Sequence, residues 1–153
     1  MAATLDQLDA AIVARLRADA RSSYAEIGDA VGLSAPAVKR RVDRMLATGA
    51  IRGFTTLVDP AALGWTTEAF VELYCLDRTS PATIRAALTR FPEVVSASTV
   101  TGEADAIVHV LAADIAHLEK VVEQIGAEGF VARTKSFVVM SPLLRRAEPG
   151  PPG

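Results

Sequence analysis

Hydrophobic positions fall three and four residues apart through the first third of the chain. Leu5, Leu8, Ile12 and Leu16 form one stripe, Ile27 and Val31 a second, and Val38, Val42, Met45 and Leu46 a third. That spacing predicts three amphipathic helices. Thr4 with Gln7, and Ser23 with Glu26, fit capping boxes that open the first two. Gly32 stands where the second helix ends, because glycine accepts the left-handed conformation of a C-terminal cap. Ser34 is placed to cap the third, with Pro36 in its first turn, where a missing N–H costs little. Gly49 closes it. About three residues containing a glycine therefore join the second and third helices, which is helix-turn-helix spacing. On spacing alone, an ordinary helical hairpin fits equally well.

The period then changes. "IRGFTTLVD" is rich in β-branched and aromatic residues and predicts a strand ended by Asp59-Pro60, and "DPAALGW" predicts a linker or hinge. Residues 67–141 run strand, helix, strand, strand, helix, strand. The strands are "TEAFVELYCL", "EVVSASTVT", "DAIVHVLA" and "FVARTKSFVVM". Ser80-Pro81 starts one helix, with Ile84, Ala87, Leu88 and Phe91 as its stripe. Asp114 caps the other, with Ile115, Leu118, Val122 and Ile125 inward. Two such halves predict an α+β, ferredoxin-like βαββαβ sheet with both helices on one face. In "AFVELYCL", Val71, Leu73 and Cys75 alternate with Phe70, Tyr74 and Leu76, so both sheet faces are apolar. The helices cover one. A second copy of the sheet is the simplest cover for the other. The expected organisation is residues 1–50 helix-turn-helix, 51–66 hinge strand and linker, 67–142 ferredoxin-like domain, and 143–153 a disordered tail, "RRAEPGPPG" among them.

Charge sharpens the reading of the third helix. The 153 residues carry a formal net charge of −2, so any basic site must be local. Between Ser34 and Gly53 stand Lys39, Arg40, Arg41, Arg44 and Arg52 against Asp43 alone, whereas residues 54–153 hold eight basic and twelve acidic side chains. On a helical wheel Arg40 and Arg44 point away from the apolar stripe, and Lys39 and Arg41 flank it. The first helix, with Asp6, Asp9, Arg15 and Arg17, has the mixed signs of a solvated surface. Small Ala35, Pro36 and Ala37 at the N-terminal end of the third helix permit close approach to base edges. Its free N–H groups suit a phosphate, and its arginines suit phosphates or guanine. The candidate DNA-contacting set is Tyr24, Ser34, Ala35, Pro36, Ala37, Lys39, Arg40, Arg41 and Arg44.

With these pieces in place, the chain resembles the Lrp/AsnC, or feast/famine, family of transcriptional regulators over residues 4 to about 142. The matching segments are "LDQLDAAIVARLRADARSSYAEIGDAVGLS", "VKRRVDRMLATGAIRGF", "DPAALG" and "VTGEADAIVHV". The resemblance implies a winged-type helix-turn-helix, a hinge strand and a C-terminal ligand-sensing domain. It further implies double-stranded DNA as partner, amino acids or related metabolites as effectors, and homodimers assembling further, often to octamers. The effector site it implies is the hairpin with Thr99, Thr101, Gly102, Glu103, Ala104 and Asp105. There Gly102 leaves backbone N–H groups open to a carboxylate, Asp105 accepts from an amino group, and the threonines supply hydroxyls; the alternative is a plain hairpin turn whose Asp105 only stabilises the bend. Two departures stand out. The family's loop carries an aromatic where this chain has Ala104, beside an added negative Glu103, so a roomier pocket that disfavours acidic ligands is expected. Gly28 stands mid-helix where the family tends to have alanine, and close packing of the first two helices would account for it.

The remaining candidates favour structural roles. Cys75 is the one cysteine, so no intramolecular disulfide forms, and no Cys/His cluster has metal-ligand spacing. No cofactor is implied. Cys75 reads as a small buried strand residue, His109 and His117 as structural, and Trp65 as an anchor in the hinge. "MAATLDQLDA" lacks a signal-peptide pattern, and no apolar run nears the ~18–20 residues of a membrane span, so a cytoplasmic setting is expected. An enzyme on a ferredoxin-like scaffold would need an acid–base pair, nucleophile triad or phosphate loop, and none is visible. A metabolite-binding or assembly protein that does not bind DNA is the other alternative, against which the basic cluster speaks.

Overall fold

The computed structural model describes residues 5–77 and 79–144. The chain divides into two compact units, Met1–Thr56 and Leu57–Gly153.

The first unit holds α1 (Gln7–Ala18), α2 (Tyr24–Val31) and α3 (Ala35–Ala47). Ile12, Leu16, Ile27, Val38, Val42 and Met45 form its core, with Leu5, Val13, Tyr24, Val31, Leu33 and Ile51 packed around it. The capping box of α1 is set two residues later than the sequence suggested. Asp6 is the N-cap and accepts from the Asp9 N–H at 2.8 Å, while Asp9 accepts from the Asp6 N–H at 3.4 Å. Aspartate is as good an N-cap as threonine or better, so nothing local favoured the earlier start; Thr4 lies outside the described residues. The Ser23–Glu26 box forms as expected, and Gly32 takes the left-handed C-cap at φ 73°. Ser34 occupies the N-cap position of α3, but its side chain caps nothing. Pro36 has no N–H to offer, and that of Ala37 is already bonded to the Ser34 carbonyl at 2.9 Å. Fewer amides are therefore open at this end than the sequence suggested.

Gly28 is buried, and its close neighbour is the turn, not α1. A Cβ there would lie 2.3 Å from the Leu33 carbonyl oxygen. Residues 51–59 contain no strand. Their β-branched composition suits a strand, but a strand needs a ladder partner for its N–H and C=O groups, and this segment pairs with none among the described residues. Phe54, Leu57 and Val58 are exposed on it.

The second unit begins with a 3-10 turn, Pro60–Leu63, capped by Asp59. Then come β1 (Thr67–Cys75), α4 (Pro81–Leu88), β2 (Val94–Thr99), β3 (Ala106–Ala112), α5 (Ile115–Gly126) and β4 (Val131–Val138). The sheet order is β2-β3-β1-β4, with every neighbouring pair antiparallel. This is the ferredoxin-like arrangement that the rhythm predicted. Ser80 and Asp114 cap the two helices. The core lies between these helices and one sheet face: Ala69, Val71 and Leu73 of β1, Ala106, Val108, Val110 and Ala112 of β3, Ile84 and Leu88, and Leu118, Val121 and Ile125. Ile115, expected inward, is exposed, and Val121 is buried in its stead. At 100° per residue Leu118, Val122 and Ile125 admit either as a neighbour, and the burial centres toward Val121. Trp65 packs against His117 of α5, ring centroids 6.2 Å apart, as an anchor in this unit.

Candidate functional site

Two places answer to the candidate residues, one in each unit. On α3 the basic side chains separate into two groups. Arg41 donates to Asp6 at 2.7 Å and to Asp9 at 2.8 Å, and Arg44 donates to Asp9 at 2.6 Å. Asp9 is 4% exposed and was missed as a site of interest because aspartate on a helix with mixed signs looks solvated. Both arginines thus lock α3 onto α1, and Arg44 does not share the outward face with Arg40. The Arg41 guanidinium holds the Asp6 carboxyl below the usual carboxylate range. Lys39 pairs with Asp43 one turn on, at 2.5 Å, which raises the lysine's pKa. Arg40 is exposed and makes no ion pair among the described residues. It sits one turn from Ala35, Pro36 and Ala37. Ser34 and Pro36 are exposed, Ala35 and Ala37 half-buried. Tyr24, at the start of α2, is half-buried against the core.

The hairpin between β2 and β3 builds the second place. Gly102 has φ 126°, a conformation that a side chain would strain. Thr99, Val100, Thr101, Glu103 and Ala104 line a groove of about 740 Å³ with Glu72, Tyr74, Ile107 and Lys135. The expected threonines, Glu103 and Ala104 are therefore together. Asp105 is directed elsewhere. Its carboxylate accepts from the Cys75 N–H at 2.7 Å, and its own N–H donates to the Leu73 carbonyl at 2.9 Å. One carboxylate oxygen is thus engaged in holding the hairpin to the end of β1. Burial, with the Asp105 charge added, pushes the Cys75 thiol up.

Glu72, Tyr74 and Lys135 were not anticipated. They lie on the sheet face that the helices leave open, where the register sets Glu72 opposite Lys135 and Ile107. The Tyr74 hydroxyl donates to Glu72 at 2.8 Å, which raises its pKa, and the Arg133 guanidinium lies 3.4 Å from the ring centre. Farther along the same face Phe70 stacks on His109, centroids 4.7 Å apart, and His109 Nε2 is 2.7 Å from Glu68. Phe70 and Phe137 stand opposite each other, both exposed. The open face is therefore a mixture of rings and charges, more polar than the alternation in "AFVELYCL" suggested.

Comparison with known proteins adds to this geometry. The AsnC-type helix-turn-helix domain model matches residues 5–46, and the Lrp/AsnC ligand binding domain model matches residues 68–149. A helix-turn-helix-type transcriptional regulator of Mycobacterium tuberculosis is 56% identical over 145 residues, covering 95% of this chain and 98% of the relative. Among solved structures, AsnC of E. coli superposes with a TM-score of 0.88 at 26% identity, covering 95% of this chain and 99% of that one. The feast or famine regulatory protein of M. tuberculosis complexed with L-methionine gives 0.86 at 31%, covering 95% and 98%. Among the described residues, no helix is long and apolar enough to cross a membrane. Three helices with a glycine turn, a β2-β3-β1-β4 sheet with two helices on one face, and relatives matched along nearly their whole length agree: the chain belongs to the Lrp/AsnC family of helix-turn-helix transcriptional regulators.

Proposed function

We propose that the chain works in the cytoplasm as a homodimer that assembles further, toward an octamer. In this reading it binds double-stranded DNA through α3 and senses an amino acid at the β2–β3 hairpin. The observation that carries the DNA half is Arg40, an exposed cation without an ion-pair partner among the described residues, one turn from the small N-terminal residues of α3. Ala35, Pro36 and Ala37 let the backbone approach a base edge, Ser34 has an uncommitted side chain, and Tyr24 stands at the start of the neighbouring helix. Lys39, Arg41 and Arg44 contribute to the local field and hold the helix in place. The amino-acid half draws on the groove beside Thr99, Thr101, Gly102, Glu103 and Ala104, and on the methionine bound by a relative at 31% identity. Asp105 braces the hairpin that carries these groups against the end of β1. The dimer draws on the open sheet face, with Phe70 and Phe137 exposed across two strands.

Binding to genomic fragments, followed by fluorescence anisotropy over a series of salt concentrations, tests the DNA half. Arg40→Ala is expected to weaken binding and to flatten the dependence of log K on log[salt] by about 0.9 for each phosphate that the arginine neutralises. An unchanged affinity and slope in the folded variant would remove α3 from the interface. Absence of any binding by the wild type would favour a metabolite-binding or assembly protein.

A further inference from the structure

Among the described residues Asp9 is the one polar or charged residue that is buried. It stands in the first turn of α1, and both its carboxylate oxygens are engaged. Oδ1 accepts from Arg41 Nη1, and Oδ2 accepts from Arg44 Nη2 and from the Asp6 N–H. Asp6 adds a second acceptor for Arg41. Two carboxylates thus face two guanidiniums, and at a distance the four charges cancel. Apolar packing of α1 on α3 is non-directional, whereas these bonds fix how α3 is turned about its axis. They also decide where Arg44 points. Arg44 stands four residues after Arg40, so the two are neighbours on the helix surface. Asp9 draws its guanidinium away from that side, although the Arg44 side chain remains 54% exposed.

We propose that Asp9 is a specificity-determining positioning residue, which sets the orientation of α3 and withholds Arg41 and Arg44 from indiscriminate contact with DNA phosphates. The inference rests on α3 being the DNA-binding element. Phosphates are alike on every sequence, so each freed cation strengthens binding to all duplexes by releasing counterions. Sequence is read at base edges, which requires α3 to be held in one orientation. An unpaired Arg44 would come to lie beside Arg40 and add a phosphate contact without adding a base contact. Lys39 is engaged in the same way by Asp43, one turn on. Of the basic side chains on α3, Arg40 is therefore the one that meets DNA without first giving up an ion pair among the described residues.

Fluorescence anisotropy of the full chain over a salt series tests this on two duplexes: the genomic fragment that the wild type binds most tightly, and one of the same composition with its sequence shuffled. Asp9→Asn is expected to strengthen binding to the shuffled duplex and to steepen its salt dependence by about 0.9 for each freed arginine that reaches a phosphate. Binding to the selected duplex gains less or weakens, so the ratio of the two affinities falls by about tenfold or more. Adding Arg44→Gln to Asp9→Asn should remove the part of the gain that Arg44 supplies, and Asp9→Glu, which keeps the charge, should restore the ratio in part. A merely structural role would instead weaken both duplexes together. Circular dichroism checks folding. Arg44→Gln alone, at an exposed side chain, carries the test if Asp9→Asn does not fold: it should leave the slope on the shuffled duplex unchanged, whereas Arg40→Ala flattens it. The inference is overturned by an unchanged ratio and slope in folded Asp9→Asn, by both affinities falling together, or by an Arg44→Gln slope as flat as that of Arg40→Ala. If Arg40→Ala alters neither duplex, α3 is not the DNA-binding element; that reading fails and the inference with it.

Discussion

Gly28→Ala sets two effects of opposite sign against each other in the turn between α2 and α3. By helix propensity alone the substitution should stabilise α2 by about 0.8–1.0 kcal/mol. The structure opposes this. The added Cβ would lie 2.3 Å from the Leu33 carbonyl oxygen, and real Cβ contacts essentially never fall below 3.0 Å, so at least 0.7 Å of movement is required. The obstructing atom is backbone and cannot rotate aside. Leu33 is also held on its N-terminal side. Its N–H donates to the Gly28 carbonyl at 2.9 Å, and Gly32 before it is fixed in the left-handed conformation. Overpacking of this kind costs about 1–3 kcal/mol, and a rigid neighbour puts this site in the upper part of that range. The net expectation is a loss of about 1–2 kcal/mol, which lowers the melting temperature of a domain this small by roughly 5–10 °C. Two units in one chain make a single global transition unsafe. Amide hydrogen exchange along α2 and α3 is therefore the assay, with DNA affinity as a second readout, because relief at Leu33 reorients the start of α3. Gly126→Ala in α5 is the internal control. Its Cβ would meet the Thr134 methyl at 3.9 Å, an ordinary contact, so there the substitution should stabilise by about 0.4–1 kcal/mol. A Gly28→Ala protein as stable as wild type, or more so, would refute the steric argument.

Two further outcomes are expected. Because Asp6 has a lowered pKa, its contribution to the stability of the first unit is present in full above the ordinary value of 3.8 and fades as pH falls through the lowered one. Asp6→Asn should thus reduce stability at neutral pH and flatten that acid limb in pH-dependent melts, and an identical limb would count against the Arg41 pairing. Phe70→Asp on the open sheet face should shift the protein to smaller species in light scattering, while a wild type that is monomeric at micromolar concentration would end the dimer proposal.

What could be read from the sequence was mostly local. Ser23 with Glu26, Gly32, Ser80-Pro81 and Asp114 state their roles within four residues, and the strands show themselves by alternation. Asp9 could not be read that way, since its arginine partners lie 32 and 35 positions away and only the packing of α1 on α3 brings them near. The same holds for Lys135, whose place in the groove follows from the pairing of β4 with β1. The segment 51–59 failed for the converse reason: its composition is right for a strand, but a strand is made by a partner. The hairpin residues 99–104 lie together because a turn assembles its own neighbours. For Asp105 two roles stood open, ligand acceptor or brace of the bend, because nothing in "TVTGEADA" reveals the end of β1 beside it.

That clamp makes the hairpin part of a lever. The Val100 N–H donates to the Asp105 carbonyl, Asp105 bonds to Leu73 and Cys75, and the next amide, Leu76, donates to the Phe130 carbonyl at 2.7 Å in the turn before β4. These links run from the β2 side of the sheet to the β4 side. A displacement imposed at the hairpin is thus delivered to the mouth of β4 without any rotation of a helix. If the proposed groove takes a ligand, the amides of Cys75 and Leu76, which stand outside its lining, are the natural reporters of its occupation.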